Sequence, residues 1–262
     1  MKYLLSTLLL GAAATAAAQS VVLQTPFADW GLGFSTGATG GGSQGSTTTD
    51  FTFTTNAASN SALFVALTSE GLTSVNSLTF DGNSFDDEIV SSFGSRDAVV
   101  YGFDLGTTAG VVDGTLSLDI GTSFGGQNAY VWAFQVSNAD YAGLTSNLGT
   151  QTTTASGNNV QADLTISGAD AGALYGGFIA SQGGASFNTI SGFDATDTVS
   201  GNSEEHFAAI EEIGTAGTIG GTVTPTDAYQ GVGFYISPIP EPASAGLLAA
   251  GAIALGLIRR RR

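Results

Sequence analysis

The sequence predicts an all-β protein whose body is a single two-sheet antiparallel β-sandwich of the jelly-roll or immunoglobulin-like kind, with a signal helix before it and a transmembrane helix after it. Three observations support this prediction. The middle of the chain is a succession of short apolar runs rich in β-branched and aromatic residues, clusters of Gly, Asn, Asp, Ser and Thr separate these runs, and helical periodicity is almost missing there. About ten strands at this spacing favour two packed sheets.

The first 18 residues have the composition of a secretory signal peptide. Lys2 precedes the apolar run Leu4–Ala14, and small alanines follow, with Ala16 and Ala18 at the expected signal peptidase site. The composition becomes polar at Gln19, which argues against the alternative of a buried N-terminal helix. We therefore predict export through a secretory signal peptide, with cleavage after Ala18.

Residues 19–50 precede the predicted body. From Gly31 to Asp50 the segment is rich in Gly, Ser and Thr, and its only large apolar side chains are Leu32 and Phe34. Such a composition is typical of flexible connecting segments. We predict a flexible lead-in here, followed by a β-sandwich domain over residues 51–237.

Two segments of the body show the two-residue period of a strand. In residues 97–105 both the odd-numbered and the even-numbered positions are largely apolar or small, so both faces of this strand are expected to be covered. Residues 130–136 place Tyr130, Trp132 and Phe134 on one face and are the most aromatic part of the body. We predict that this second segment is a central core strand.

The remaining strands are predicted from similar runs, and one pair forms a hairpin. The dipeptide Asp81-Gly82 between Phe80 and Phe85 accepts positive φ in a tight turn, so we predict a hairpin over residues 78–89 with a structural role for the aspartate. The other predicted strands are 51–55, 62–68, 74–80, 115–120, 159–166, 173–181, 206–213 and 229–236.

Residues 238–262 have three parts. The stretch 238–242 cannot continue a strand or a helix, because its prolines fix φ and lack an N–H donor. Residues 243–258 carry no charge and, as a helix, would span about 24 Å, somewhat less than the ~30 Å hydrocarbon core of a bilayer. The chain then ends in Arg259, Arg260, Arg261 and Arg262, which the positive-inside rule would hold in the cytoplasm. We predict a temporary membrane anchor with the body outside.

This tail resembles the PEP-CTERM sorting signal of Gram-negative bacteria. The resemblance rests on Pro240, Glu241 and Pro242, followed in the right order by the apolar helix and the arginines, with Ile239 where valine is common. In that family a membrane transpeptidase called exosortase is thought to recognise and cut at the Pro-Glu-Pro motif. The resemblance implies signal peptidase and exosortase as partners, a transient stay in the inner membrane, and a final location at the cell surface or outside the cell. An ordinary tail anchor is the alternative.

The body is similar to a widespread bacterial secreted β-sandwich module. The similarity rests on the order of a Leu-Phe-Val-Ala-Leu strand at 63–67, the hairpin at 77–85, and an aromatic strand that leads into Ser-Asn-Ala-Asp at 137–140. It spans about residues 50–237 and carries no diagnostic motif. It therefore supports the fold and transfers no active site.

The charge of the chain argues against nucleic acid as a partner. The formal net charge is -16, from 22 acidic and 6 basic residues, and Arg96 is the only basic residue between Lys2 and Arg259. Binding to a phosphate backbone needs clustered Lys and Arg, which the body lacks. The chain has no cysteine, which excludes disulfides, thiolate metal ligands and a cysteine nucleophile.

Two patterns could belong to an enzyme. Ser35 lies in a G-x-S-x-G pattern at residues 33–37, but nucleophile elbows need a strand before the serine and a helix after it, and neither is predicted. The single histidine, His206, follows Glu204 and Glu205, so a proton-transfer group or a metal ligand is conceivable. Adjacent strand residues point to opposite faces, which weakens a glycosidase pair. We predict no catalytic residue and no enzymatic activity.

Two clusters of acidic residues could bind Ca²⁺, which takes six to eight oxygen ligands. Neither has the ligand order of an EF-hand loop, and solvated turn carboxylates are the ordinary interpretation. We therefore assign no metal and no cofactor, and keep Ca²⁺ as an alternative. The groups are Asp81, Asp86, Asp87 and Glu88, and Asp194, Asp197 and Glu204.

Three functions of different classes remain. The preferred one is a non-enzymatic cell-surface or extracellular-matrix protein associated with exopolysaccharide. The alternative is a carbohydrate-binding or adhesive, lectin-like module, for which the candidate aromatic side chains near turns are Trp30, Tyr141, Phe187 and Phe193. A glycan-active enzyme would instead require two convergent carboxylates in a cleft.

Overall fold

The computed structural model describes most of the chain between Ser20 and Ile239, and Ser20–Pro238 form one compact unit. The predicted signal peptide and the sorting signal from Pro240 onward lie outside the described residues. The described ranges are 20–24, 34–35, 45–69, 72–85, 87–92, 97–122, 128–141, 151–155, 160–166, 172–182, 195–201, 204–214, 217–223 and 229–239.

These residues form β-strands and no α-helix, and every strand pairing among them is antiparallel. The prediction of an all-β body with antiparallel sheets is confirmed. No helix long and apolar enough to cross a membrane occurs in the described part of the chain. The strands are β1 (Val22–Leu23), β2 (Phe34–Ser35), β3 (Gly45–Thr54), β4 (Ala58–Ser69), β5 (Leu72–Phe80), β6 (Asn83–Ser84), β7 (Asp87–Ser92), β8 (Asp97–Ala109), β9 (Asp113–Thr122), β10 (Asn128–Ser137), β11 (Gln151–Ala155), β12 (Val160–Ile166), β13 (Ala173–Gln182), β14 (Ala195–Gly201), β15 (Glu204–Gly214), β16 (Gly217–Val223) and β17 (Tyr229–Ile236).

The described strands form four sheets. Sheet A has the order β1-β10-β4-β8-β7, with β2 also beside β10, and sheet B has the order β3-β9-β5-β6. Sheet C has the order β11-β17-β13-β15-β14, and sheet D is the pair β12-β16. The first half of the body, up to residue 141, builds sheets A and B, and the second half, from residue 151, builds sheets C and D.

Sheet A is a middle layer, which corrects the prediction of two sheets. One of its faces packs on Phe178 and Phe234 of sheet C, and its other face packs on Phe53 of sheet B. Every residue of β4 from Ser61 to Ser69 is buried. Because side chains of a strand alternate between faces, such an uninterrupted buried run needs cover on both sides, whereas a two-sheet sandwich covers one face of each sheet.

Part of the predicted flexible lead-in is strand. β1 and β2 pair with β10, and β3 begins at Gly45, where its backbone pairs with Thr122 of β9. The threonines of residues 45–50 contributed to the prediction of a flexible segment. They are β-branched, however, and β-branched residues favour a strand when a partner strand is present. Backbone pairing with β9 therefore outweighs the local composition in this region.

The predicted Asp81-Gly82 turn and the predicted aromatic core strand are confirmed, while the hairpin around the turn is confirmed only in part. The turn between β5 and β6 has Asp81 at φ 49° and Gly82 at φ 77°, and Phe80 pairs with Asn83 across it. The chain leaves sheet B soon afterwards, since β7 joins sheet A, so this hairpin is shorter than predicted. The predicted core strand 130–136 lies within β10, an interior strand of sheet A, and Trp132 is fully buried there.

Candidate functional site

The residues predicted to act in sorting and processing lie outside the described part of the chain, so their roles stay predictions. They are Ala16 and Ala18 of the signal peptidase site, Pro240, Glu241 and Pro242 of the sorting motif, and Arg259, Arg260, Arg261 and Arg262 of the cytoplasmic anchor.

The candidate residues for hydrolysis lie in different sheets. Ser35 is in β2 at one edge of sheet A, where it pairs with Asn128. His206 is in β15 of sheet C, opposite Ala180 on one side and Val199 on the other. The strand pairings therefore do not bring the serine and the histidine together. Glu204 and Glu205 occupy successive positions of the same strand as the histidine.

Two of the acidic residues considered for calcium have protein partners. The Oδ1 atom of Asp81 accepts the backbone N–H of Thr115 at 2.8 Å, which ties the β5–β6 turn to β9. The Oε2 atom of Glu88 accepts the hydroxyl of Tyr101 at 3.2 Å. Among the described residues, no group of three or more His, Cys, Asp or Glu side chains could hold a metal ion. Asp86 and Asp194 lie outside those residues.

The Tyr101 and Glu88 pair makes one group difficult to ionise. Tyr101 is half-buried in β8, and its ring packs against the core between sheets A and B. Burial of the phenol, together with the charge and the hydrogen bond of Glu88, raises the pKa of Tyr101 well above that of a free tyrosine. The phenol therefore stays protonated at physiological pH and serves as a hydrogen-bond donor.

The aromatic residues considered for carbohydrate binding do not form a described platform. Tyr141 is half-buried and packs against the core between sheets A and C. Trp30, Phe187 and Phe193 lie outside the described residues. The one candidate that the structure describes thus contributes to packing.

A polar face covers the outside of sheet B, and none of its residues is among the candidates predicted from the sequence. We call it the polar ladder, because its members face each other across β3 and β9. The hydroxyl of Ser117 donates to Asp50 at 2.6 Å, and the hydroxyl of Thr54 donates to Asp113 at 2.7 Å. The ladder consists of the directly paired residues Asp50 and Ser117, Thr52 and Thr115, and Thr54 and Asp113.

The polar ladder offers hydroxyl donors and carboxylate acceptors on a mostly exposed surface, while the alternate side chains Phe51 and Phe53 are buried in the core. The signal for it was visible in the sequence, where Thr-Asp-Phe-Thr-Phe-Thr at residues 49–54 alternates polar and aromatic side chains. Such a surface can form hydrogen bonds with water or with a hydrated polymer.

A second missed feature is a buried hydrogen-bond network around Gln135, which we call the polar lock. The Gln135 Oε1 atom accepts the backbone N–H of Asn56 at 2.6 Å, and its Nε2 atom donates to the Asn56 carbonyl at 2.9 Å and to the Ser61 hydroxyl at 2.7 Å. The backbone N–H of Gln24 donates to the Gln135 carbonyl at 2.8 Å. These hydrogen bonds attach the connection between β3 and β4, and the segment after Ser20, to β10. Its role is structural.

Comparisons of the chain with models of known protein families, with curated proteins and with solved structures find no match.

Proposed function

We propose that the chain is an exported, non-enzymatic cell-surface or extracellular-matrix protein of a Gram-negative bacterium, sorted and processed through a PEP-CTERM signal at residues 238–262 and associated with exopolysaccharide. The observation that carries this proposal is the order of Pro-Glu-Pro at 240–242, an uncharged stretch at 243–258 and arginines at 259–262 after a β-rich body. The signal peptide would bring the body across the inner membrane, and the tail would hold it there until it is cut.

The end of the folded body supports a cut at the Pro-Glu-Pro motif. β17 ends at Ile236, and the last backbone bridge among the described residues joins Ala139 to Pro238. A cut within residues 240–242 would therefore leave every described strand in the released product. Removal of the anchor would cost the body none of its described sheet pairings.

The charge of the body constrains which polysaccharide it can accompany. Between Lys2 and Arg259 the chain has Arg96 as its only basic residue, against 22 acidic residues. Such a body repels polyanions at short range. A neutral or amine-bearing polymer therefore fits the polar ladder of sheet B better than an acidic one does.

The sorting proposal is tested by a Glu241→Ala variant produced in the native host. We expect it to accumulate as a longer, membrane-bound form, because the recognition motif is lost. Glu88→Ala is the matched control, since it also removes one carboxylate but lies in β7, and it should be processed like the natural chain. Fractionation followed by immunoblotting measures both. Release of the Glu241→Ala protein at the natural size would reject the proposal.

The arginines are tested separately by replacing Arg259–Arg262 with glutamine. We expect disturbed anchoring and processing, because the positive charges hold the tail on the cytoplasmic side. Protease protection in spheroplasts reports the orientation. Unchanged processing would show that the arginines are dispensable.

The second candidate function is a carbohydrate-binding module, which the exposed hydroxyls of the polar ladder favour. Glycan-array binding by the secreted body, reduced by Thr52→Val together with Thr115→Val, would support it. Trp30→Ala and chelation of divalent cations test the aromatic and the calcium versions of the same idea. If the body bound no glycan on the array, this candidate function would be rejected.

A further inference from the structure

The two halves of the body have the same strand order. In the first half, β4 lies between β10 and β8, β7 follows β8 outward, and β3 pairs with β9 in a separate sheet. In the second half, β13 lies between β17 and β15, β14 follows β15 outward, and β12 pairs with β16 in a separate sheet. The correspondence follows the chain, since β3, β4, β7, β8, β9 and β10 match β12, β13, β14, β15, β16 and β17 in order.

The registers of the two halves also correspond. Phe64 of β4 pairs with Phe134 on one side and with Gly102 on the other. At the matching point of β13, Gly176 pairs with Phe234 on one side and with Ile210 on the other. The outer strands agree, because Asp87 of β7 pairs with Gly102, and Ala195 of β14 pairs with Ile210. With these matches the ends of the strands nearly agree as well, since β7 (Asp87–Ser92) matches β14 (Ala195–Gly201) and β10 (Asn128–Ser137) matches β17 (Tyr229–Ile236).

Matching faces of the halves meet in the core between sheets A and C. Phe134 and Phe234 hold equivalent positions, and their rings stack with centroids 6.2 Å apart. Residues 134–137 read Phe-Gln-Val-Ser, and residues 234–237 read Phe-Tyr-Ile-Ser. Just beyond these repeats, Ala139 forms an antiparallel bridge with Pro238. Equivalent residues that touch each other place an approximate two-fold axis at the contact, as in an isologous dimer.

We propose that the body is an internal dimer of one repeated β-sandwich unit, and that the face joining its halves is a self-recognition surface whose further partner is a second copy of this chain. Among the described residues, every strand pairing lies within one half. The halves are held together by the side-chain core and by a few backbone bonds, including Val21 N–H to the Gly172 carbonyl and Asp140 N–H to the Ser237 carbonyl. The second half of another chain offers the same face, so two chains can exchange their second halves without losing these contacts.

The equilibrium between the single chain, whose halves pair with each other, and two chains that exchange halves depends on protein concentration. Two modules on one chain meet at an effective concentration that is on the order of mM when the linker between them is short and flexible. When the two halves of a chain separate in a dilute solution, they therefore pair again with each other. When the protein concentration approaches the effective concentration within the chain, halves of different chains pair instead. On a cell surface, where copies are held close together, exchange would tie neighbours to each other. This last consequence rests on the proposed function, but the exchange itself does not.

The chain has no cysteine, which allows a direct test of exchange. Ala139→Cys and Pro238→Cys are made in separate chains, mixed, unfolded in urea and refolded together at rising concentration. Opposite residues of an antiparallel pair lie about 4.5–5.5 Å apart between Cα atoms, within the range of a disulfide. Neither single variant can close a bridge within its own chain, so a mixed disulfide dimer reports a first half paired with the second half of another chain.

We expect the mixed dimer to form several-fold more than in a control mixture of Thr52→Cys and Pro238→Cys, and to increase with concentration. Native mass spectrometry of ¹⁵N-labelled and unlabelled natural chains treated in the same way should show heavy–light dimers. Mixed dimers at the control level in both measurements would overturn the proposal. The double variant Ala139→Cys/Pro238→Cys should close a bridge within one chain, and its failure to do so would also overturn the proposal, because the match of the halves rests on this pairing.

Discussion

The two halves of the body share a strand order but fill their common core differently. The first half has Phe64 at the centre of β4, where the second half has Gly176 in β13. Phe64 stacks on Phe134 at 5.3 Å and on Phe234 at 6.4 Å between ring centroids, so one ring serves both halves. A Cβ atom at Gly176 would lie 2.9 Å from the Phe234 ring, so the glycine provides the space in which that ring lies.

This difference shows how a repeated unit can pack on itself. Phe134 and Phe234 both keep a large ring at the axis, so close packing leaves little space for two more large side chains at the neighbouring equivalent positions 64 and 176. One half therefore supplies a large residue and the other a small one. The strand pairings survive this divergence because they depend on backbone hydrogen bonds and on which face is apolar, rather than on the identity of each side chain.

The largest expected effect tests whether the halves are equivalent. Phe134→Ala and Phe234→Ala should each lower the free energy of unfolding by about 3–5 kcal/mol, because each removes a fully buried ring from the shared stack. Urea denaturation measures both. Val111→Ala is the control, since that side chain is 67% exposed and its loss should change little. A large loss from one phenylalanine and none from the other would break the comparison.

The next effect sharpens the comparison, because the polar lock belongs to the first half. Gln135→Leu should lower the free energy of unfolding by about 1–3 kcal/mol, since the part-buried backbone groups of Asn56 and the buried hydroxyl of Ser61 lose their partners. At the matching position of the second half, Tyr235 is only half-buried, and Tyr235→Phe should change the free energy by less than about 0.5 kcal/mol. Equal effects of the two variants would show that the lock is not specific to the first half.

A third variant tests the role of the small residue at the axis. Gly176→Ala should cost about 1–3 kcal/mol of unfolding free energy, because the new methyl group would approach Phe234 and the backbone oxygen of Ala209, at 2.9 and 3.2 Å. Gly110→Ala is the matched control, because nothing lies within 4 Å of a Cβ atom there. Thermal unfolding compares the two proteins. A neutral Gly176→Ala would contradict the space argument.

The smallest effect concerns alkaline pH and the first half alone. Tyr101 has a raised pKa when folded, so its contribution to stability is fully present below the ordinary tyrosine pKa and is lost as pH rises from there towards the folded value. The matching position of β15 is Ala209, which cannot titrate. Tyr101→Phe should therefore flatten the decline of stability at alkaline pH. Denaturation midpoints of the natural protein and of Tyr101→Phe at pH 8 to 11 measure this decline. If both midpoints fall in parallel, Tyr101 is not the cause of the decline.

Much of the fold could be predicted from the sequence, because alternation and turn chemistry act locally. The Asp81-Gly82 turn and the aromatic strand around Trp132 follow from such local rules. The number of layers does not, since it depends on which strands pair over long distances. The sequence predicted that both faces of residues 97–105 are covered, but no local rule identified the strands that cover them. The repeat is not evident from the sequence, since matched positions such as Phe64 and Gly176 carry different side chains.

The candidate sites also differ in whether the sequence alone could predict them. The polar ladder could have been found from the Thr and Phe alternation of β3, once its pairing with β9 was known. The polar lock could not, because Gln24, Asn56 and Gln135 come together only through the tertiary fold. The sorting motif is a linear signal, so the sequence alone predicts it.

The most direct test of the central claim is the intact mass and terminal peptide map of the natural protein recovered from its own cell surface. We expect a mature chain that begins near Gln19 and ends at the Pro-Glu-Pro motif, so that the product contains both halves of the body and neither terminal signal. A chain that still ends at Arg262 would contradict the sorting proposal and would make the protein a membrane-anchored ectodomain.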